Sequence, residues 1–261
     1  MSSTCSSEEN ISEQLSNFPA NSVNIIYADP PWKYQQNVKA GVLKRKNGEL
    51  LYPSMTIKEL TELGPAVERI CKKDCALLLW ATMPLLQESL DVIKAWGFKY
   101  KTCFVNWVKT TAAGDKPAFG VGYYTRSNAE LCLLAVRGKI ASYKRLLPDE
   151  ADRGQNKMTQ IVHEEGLSND PDCRVNFLSL LDDSSTPVVM TPRRQHSRKP
   201  ECIRNMIVKL FGDIPRVEFF ARQRADGWMS LGNDTEHFKD ESQQELSAAK
   251  HDRAHKKHKK K

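Results

Sequence analysis

The sequence predicts an α/β fold, a mostly parallel sheet with helices on both faces. Three observations carry that prediction. Short apolar runs of strand character alternate with amphipathic stretches of helical period. Alternation of this kind builds parallel sheets with helices packed on both sides. The 261 residues are enough for one large domain with a proper core.

The elements follow in order. Residues 1–10 read as a disordered start, and Ile11 to Phe18 as a short helix. Residues 1–22 together form an N-terminal extension. Val23 to Ala28 is a short apolar run and reads as a buried strand. Residues 33–53 form a long loop. Thr56 and Glu59 make a capping-box pattern that opens a helix through about Cys71. Ala76 to Ala81 is an apolar strand. Leu85 to Trp96 is an amphipathic helix, with Gly97 where a helix-ending glycine belongs. Tyr100 to Val108 and Glu130 to Val136 are strands, and Gly120 to Tyr123 is a flexible turn between them. A long mixed segment, about 139–187, reads as an insertion. Val188 to Thr191 is a strand, and Lys199 to Phe211 a helix with Pro200 in its first turn. Val217 to Phe220 and Trp228 to Leu231 close the set. The tail from 235 to 261 is polar, Lys-rich and disordered by composition.

Charge is unevenly placed. The net charge is +7, but residues 250–261 alone carry +6, so residues 1–249 carry only +1. The basicity therefore belongs to a low-complexity tail. Such a tail is a solvated arm, a salt-sensitive nucleic-acid contact or a nuclear address, and composition does not separate these. Within the body, Lys33, Lys39, Lys44, Arg45 and Lys46 lie in one stretch with no acid between Lys33 and Glu49. Arg193, Arg194, Arg198 and Lys199 form a second acid-free group. A loop holding a polyanion requires this composition, although a basic loop is more often plain solvated surface.

Several classes are disfavoured. No apolar run approaches the roughly 20 residues of a membrane helix. The first 22 residues are polar and acidic, unlike a secretory signal. Seven scattered cysteines without a Cys-x-x-Cys pattern argue against a zinc site and for reduced thiols in an intracellular protein. Cytoplasm and nucleus are both compatible with that. No Gly-x-Gly-x-x-Gly or P-loop lysine motif is present.

Asp29-Pro30-Pro31-Trp32 is the most informative motif. It stands at the carboxyl end of the first predicted strand, where ligands bind in open parallel sheets. A flat base bearing an amino group suits it. Asp29 can accept one amino hydrogen, and the Pro30 carbonyl the other. Trp32 offers a stacking face. The plain alternative is a Pro-Pro turn that merely ends the strand. Glu218 and Arg222 straddle a second strand end.

With these pieces the chain resembles the MT-A70 family of S-adenosylmethionine-dependent adenine-N6 methyltransferases. Four blocks carry the resemblance: Asn21 to Trp32; Tyr52 to Thr56; His196 to Pro200; and Glu218 to Arg222 with Gly227-Trp228 and Gly232-Asn233. It implies a Rossmann-like methyltransferase domain over 23–234 with permuted motif order, the catalytic strand first and the cofactor half after it. It implies that Asp29, Pro30, Pro31 and Trp32 are catalytic. It places Asp29, Lys199, Glu218, Arg222 and Asn233 at the cofactor, S-adenosylmethionine. Trp32, Lys33, Lys44, Arg45, Tyr52 and Arg198 would meet the substrate. The structural alternatives are an ordinary Arg partner for Glu218 and a helix-start surface role for Lys199. Trp80, Trp96 and Trp107 are expected in the core, and His196 in a structural role.

The function expected is methyl transfer to the N6 amine of adenine in nucleic acid, DNA rather than RNA. Three readings stand beside it: an RNA adenine-N6 enzyme, a cytosine-N4 DNA enzyme and a non-catalytic nucleic-acid-binding subunit. A homo- or heterodimer partner is compatible with the family, and a membrane partner is not expected.

Overall fold

A computed structural model describes residues 10–33, 54–111, 116–120, 124–140, 174–175, 188–192, 198–233 and 235. Tyr52, Lys44, Arg45, His196, most of 139–187 and nearly all of the tail lie outside them.

The strands are β1 (Val23–Ala28), β2 (Cys71–Ala81), β3 (Lys99–Thr110), β4 (Ala129–Arg137), β5 (Arg174–Val175), β6 (Val188–Pro192), β7 (Arg216–Phe219) and β8 (Met229–Leu231). They form one sheet in the order β5-β6-β3-β4-β2-β1-β7-β8. β1 runs parallel to both neighbours, β2 and β7, and β8 parallel to β7. β4 is antiparallel to β2 and β3, and β6 returns parallel to β3. Only β4 and the two-residue β5 therefore run against the rest, as the mostly parallel expectation requires.

The helices are α1 (Ile11–Asn17), α2 (Ile57–Glu62), α3 (Gly64–Ile70), α4 (Leu86–Ala95) and α5 (Cys202–Phe211). Alternation along the strands sends Ile26, Ala28, Leu77 and Leu79 to one face, against α1 to α4. Ile25, Tyr27, Leu78 and Trp80 go to the other, against α5. Both faces are thus covered, and β1 is buried along its length apart from Asn24.

Local chemistry explains the helix ends. The Thr56 hydroxyl accepts the Glu59 amide at 3.2 Å, and the Glu59 carboxylate accepts the Thr56 amide at 2.6 Å. The expected single helix 57–71 is two, because Pro65 brings no N–H to continue the ladder through Leu63. α4 stops at Trp96 and Gly97, whose φ of +79° suits only glycine. β2 starts at Cys71 rather than Ala76, with a register shift against β1 between Val23 and Ile25. α5 starts at Cys202, so Lys199 and Pro200 lie in the approach to it.

α1 falls within the segment read as an extension, yet it belongs to the folded body. Ile11 and Leu15 are buried, each contributing about 2 kcal/mol by leaving water. Arg69 donates to the carbonyls of Leu15, Ser16 and Phe18, which α1 cannot satisfy internally. Cys202 is disulfide-bonded, which corrects the expectation of reduced thiols throughout. Cys71, Cys75, Cys103 and Cys132 are free.

Candidate functional site

β1 lies between β2 and β7, and the chain reaches those neighbours by helices on opposite faces. Strands that diverge this way leave a crevice at their carboxyl ends. Asp29 stands there, one residue beyond β1. Its amide donates to the Phe219 carbonyl at 3.4 Å, which ties the exit of β1 to the end of β7.

The Asp29 carboxylate is held by Lys199, with Oδ2 to Nζ at 2.7 Å. Lys199 Nζ also lies 3.3 Å from Glu130 Oε2, and Glu130 pairs through Oε1 with Lys109. Lys109 closes β3, Glu130 opens β4 and Lys199 precedes α5. Three separate segments therefore converge on the motif. The Trp80 ring lies under the Lys199 ammonium, 5.3 Å from ring centre to Nζ. Side-chain exposure is 23% at Asp29, 18% at Glu130 and 9% at Lys199, so Asp29 is the more reachable of the two carboxylates.

The electrostatics follow from this chain of alternating charges. Burial raises the Asp29 carboxyl above its ordinary value, opposed by the Lys199 and Arg222 cations. Burial by itself depresses Lys199, but Asp29 and Glu130 outweigh it and hold the ammonium protonated above its usual range. Burial by itself raises Glu130 too; Lys199 and Lys109 reverse that and hold it at about 2. Glu130 and Lys109 were not singled out in the sequence. An acid opening a strand two residues from that strand's first fully apolar run carries no signal of its own.

The remaining expected residues divide. The Pro30 carbonyl accepts the Trp32 amide at 2.9 Å. One of its two lone pairs is still available. Trp32 is buried, 7% exposed, and its indole N–H donates to the Trp80 carbonyl at 3.1 Å. It anchors the turn in the core rather than presenting an open stacking face. Residues 31–33 pair with Met55, through Met55 N to Pro31 O at 2.8 Å and Lys33 N to Met55 O at 3.0 Å. That bridge brings Met55 back beside the motif, with Lys33 exposed at its edge.

Glu218 is buried and forked by Arg204 of α5, at 2.7 and 2.8 Å. That is the ordinary Arg partner named above as the alternative to a cofactor role. Arg198 is also turned inward, with its guanidinium 2.6 Å from Glu201, rather than outward to a substrate. Arg222 is half-buried and acts electrostatically on Asp29. Phe220, between β7 and Arg222, has φ of +59°. A left-handed phenylalanine costs about 1 kcal/mol or more. Ala221 then donates to the Leu231 carbonyl at 2.9 Å, fixing the strand ends around Arg222. Asn233 is exposed just past β8. Trp80, Trp96 and Trp107 are buried as expected.

Comparison with known proteins decides the family. The MT-A70 profile matches residues 23–174 and 166–234. The chain belongs to the MT-A70 family. The two matched segments overlap at 166–174 and together cover every strand described above. Among relatives, a type II methyltransferase, M.MunI of Mycoplasma sp, is 28% identical over 235 residues, 85% of this chain and 82% of that protein. A putative N(6)-adenosine-methyltransferase MT-A70-like protein of Medicago truncatula is 24% identical over 80% of this chain. An N(6)-adenosine-methyltransferase MT-A70-like protein of Arabidopsis thaliana is 23% identical over the same share. This chain spans only about a quarter of those two plant proteins, 26% and 23%. The MT-A70 chain described here is a methyltransferase.

The donor set of this MT-A70 site fits a methyl donor of the S-adenosylmethionine type. Such a molecule carries an ammonium, a carboxylate, a ribose diol and an adenine. Asp29 and Lys199 set opposite charges side by side at the strand ends, matching the zwitterionic end. Arg222 and Asn233 supply hydrogen-bonding groups on the neighbouring strand ends. Glu218 does not fit, because Arg204 holds both its oxygens.

Proposed function

We propose that this chain transfers a methyl group from S-adenosylmethionine to the N6 amine of adenine in nucleic acid, with DNA the favoured substrate. The observation that carries the reading is the Asp29 carboxylate. It is reachable at the crevice, fixed by Lys199 on Oδ2, and next to a carbonyl with a lone pair to give.

An exocyclic amine on adenine is a weak nucleophile because its lone pair is delocalised into the ring. Asp29 accepts one amino hydrogen and the Pro30 carbonyl the other. Two fixed acceptors favour a pyramidal nitrogen and strengthen as positive charge develops on it. Lys199 orients the carboxylate, and Glu130 orients Lys199. Their rotamers are set before substrate arrives, so little reorganisation is left for the reaction itself. S-adenosylmethionine, when bound, supplies the electrophilic methyl group. Asp29, Lys199, Arg222 and Asn233 would hold it. Lys33, and Lys44, Arg45 and Tyr52 beyond it, would meet the polynucleotide. In a duplex the base must be flipped out to reach Asp29.

The preference for DNA rests on coverage. The type II methyltransferase is matched over 82% of its length, whereas the plant N(6)-adenosine relatives are matched over about a quarter of theirs. The test is purified protein with labelled S-adenosylmethionine, offered matched single-stranded and duplex DNA and RNA. Label is expected as N6-methyladenine in DNA, and Asp29→Ala should abolish it while largely preserving cofactor binding, which Lys199, Arg222 and Asn233 still support. Label in N4-methylcytosine, or undiminished transfer by Asp29→Ala, would overturn the reading.

A further inference from the structure

The sheet has a second charged site at its other edge. β2 and β3 begin there, and β4 ends there. The strand register places it roughly 20 Å from Asp29. A cavity of about 540 Å³ opens at this edge, lined by Lys73, Phe98, Lys99, Lys101, Val136 and Arg137, with Gly97 and Gly138 at its rim. Four cations line it and no acid does. The concentration is local, since residues 1–249 carry a net charge of only +1.

Two carboxylates adjoin the cavity, Glu68 against Gly97 and Asp74 against Gly138, so the cations outnumber the acids there by four to two. Asp74 accepts the Lys139 backbone amide at 2.6 Å. The Glu68 carboxylate lies against Gly97, close enough to clash with any side chain placed there. Arg137 donates to the Glu68 backbone carbonyl at 3.3 Å. Lys73, Lys99 and Lys101 make no ion pair among the described residues. Lys109 and Lys199 show the contrast, since each has a carboxylate partner. Buried Phe98 and half-buried Val136 add apolar surface to the lining. Exposed ammoniums beside apolar surface, in a volume of ligand size, suit a phosphate group attached to a sugar and base.

We propose that this cavity binds a nucleotide phosphate, free or within a polynucleotide, at a site separate from the methyl-transfer centre. The inference does not depend on the activity, because occupancy can be read without it.

The experiment uses the full chain, labelled for amide NMR, with ATP and inorganic tripolyphosphate as probes. The Gly97 and Gly138 amides report on the cavity itself, so binding of the probes to the Lys-rich tail is not counted. Saturable shifts of both amides are expected at physiological salt. Lys99→Glu combined with Lys101→Glu should weaken binding at least tenfold. Lys94→Glu, an exposed change on α4 outside the cavity lining, should leave it unchanged. If the double charge reversal does not fold, Lys99→Gln with Lys101→Gln serves, with at least a threefold loss expected. Competition then separates the sources. Mononucleotides that compete as well as a 12-nucleotide strand identify a free nucleotide, and a strand that competes at least tenfold better identifies polynucleotide backbone. Absence of saturable shifts at Gly97 and Gly138 overturns the proposal, as does equal weakening by Lys94→Glu.

Discussion

Replacing Glu130 by Gln removes one charge from the four-residue chain and changes almost no volume. Lys199 then keeps Asp29 as its only carboxylate, and Lys109 loses its own. The size of the effect can be worked from the carboxyl's displacement. A fall from 4.5 to about 2 corresponds to about 3 kcal/mol favouring the ionised folded form. Lys109 can turn toward water, which recovers part of this. A loss of about 2–3 kcal/mol is expected at pH 7, or about 5–10 °C in Tm for a domain of this size. The pH dependence has a definite sign. The folded carboxyl is depressed, so its contribution is complete above the ordinary value of 4.5 and is lost as pH falls through about 2. The stability gap between wild type and variant should therefore narrow from pH 7 to pH 3. Urea denaturation at both pH values measures it. Methyl transfer should fall about 10- to 100-fold as Lys199 loosens its hold on Asp29, with cofactor affinity changed less. A variant within 0.5 kcal/mol of wild type at pH 7, or a gap that widens toward pH 3, would refute the reasoning.

Thr56→Ala removes the hydroxyl that accepts the Glu59 amide and donates to the Glu59 carboxylate, leaving only the Thr56 backbone amide bonded to that carboxylate, and should cost about 1 kcal/mol in urea denaturation; a neutral result would mean that α2 is held without the cap. Gly232→Ala drives a methyl to 2.4 Å from the Ala221 carbonyl and 2.7 Å from its amide, so the strand ends must separate; calorimetry should show weaker cofactor binding by about tenfold or more, and unchanged affinity would remove Arg222 and Asn233 from the cofactor site. Deleting residues 250–261 takes away +6 of charge, and should lower nucleic-acid affinity and flatten its salt dependence while kcat is retained; loss of kcat at saturating substrate would place the tail in the chemistry.

Much of the architecture was legible because local rules report on local neighbours. β1 could be read from six residues, the capping box from four and the end of α4 from one glycine. The motif at Asp29 was legible because a carboxylate followed by two prolines at a strand end is rare and chemically specific. Errors came where backbone hydrogen bonding or distance intervened. Glu218 looked like a ligand until α5 delivered Arg204 across the face of the sheet. Trp32 looked like an open platform until the Met55 bridge and the Trp80 carbonyl fixed it inside.

The sequence by itself determined the alternating fold, the family and the residue types available at the first strand's end. Those depend on periodicity and on side-chain chemistry, both of which are written along the chain. Only the tertiary structure decided which charges face one another. Asp29 and Lys199 are 170 residues apart, and Glu130 reaches them from a third segment. Ion pairing depends on distance in space and on exclusion of water, and neither exists before the sheet has formed. The same holds at the opposite ends of the strands, where Lys73 of β2, Lys99 and Lys101 of β3 and Arg137 of β4 share one cavity only because the three strands are neighbours in the sheet.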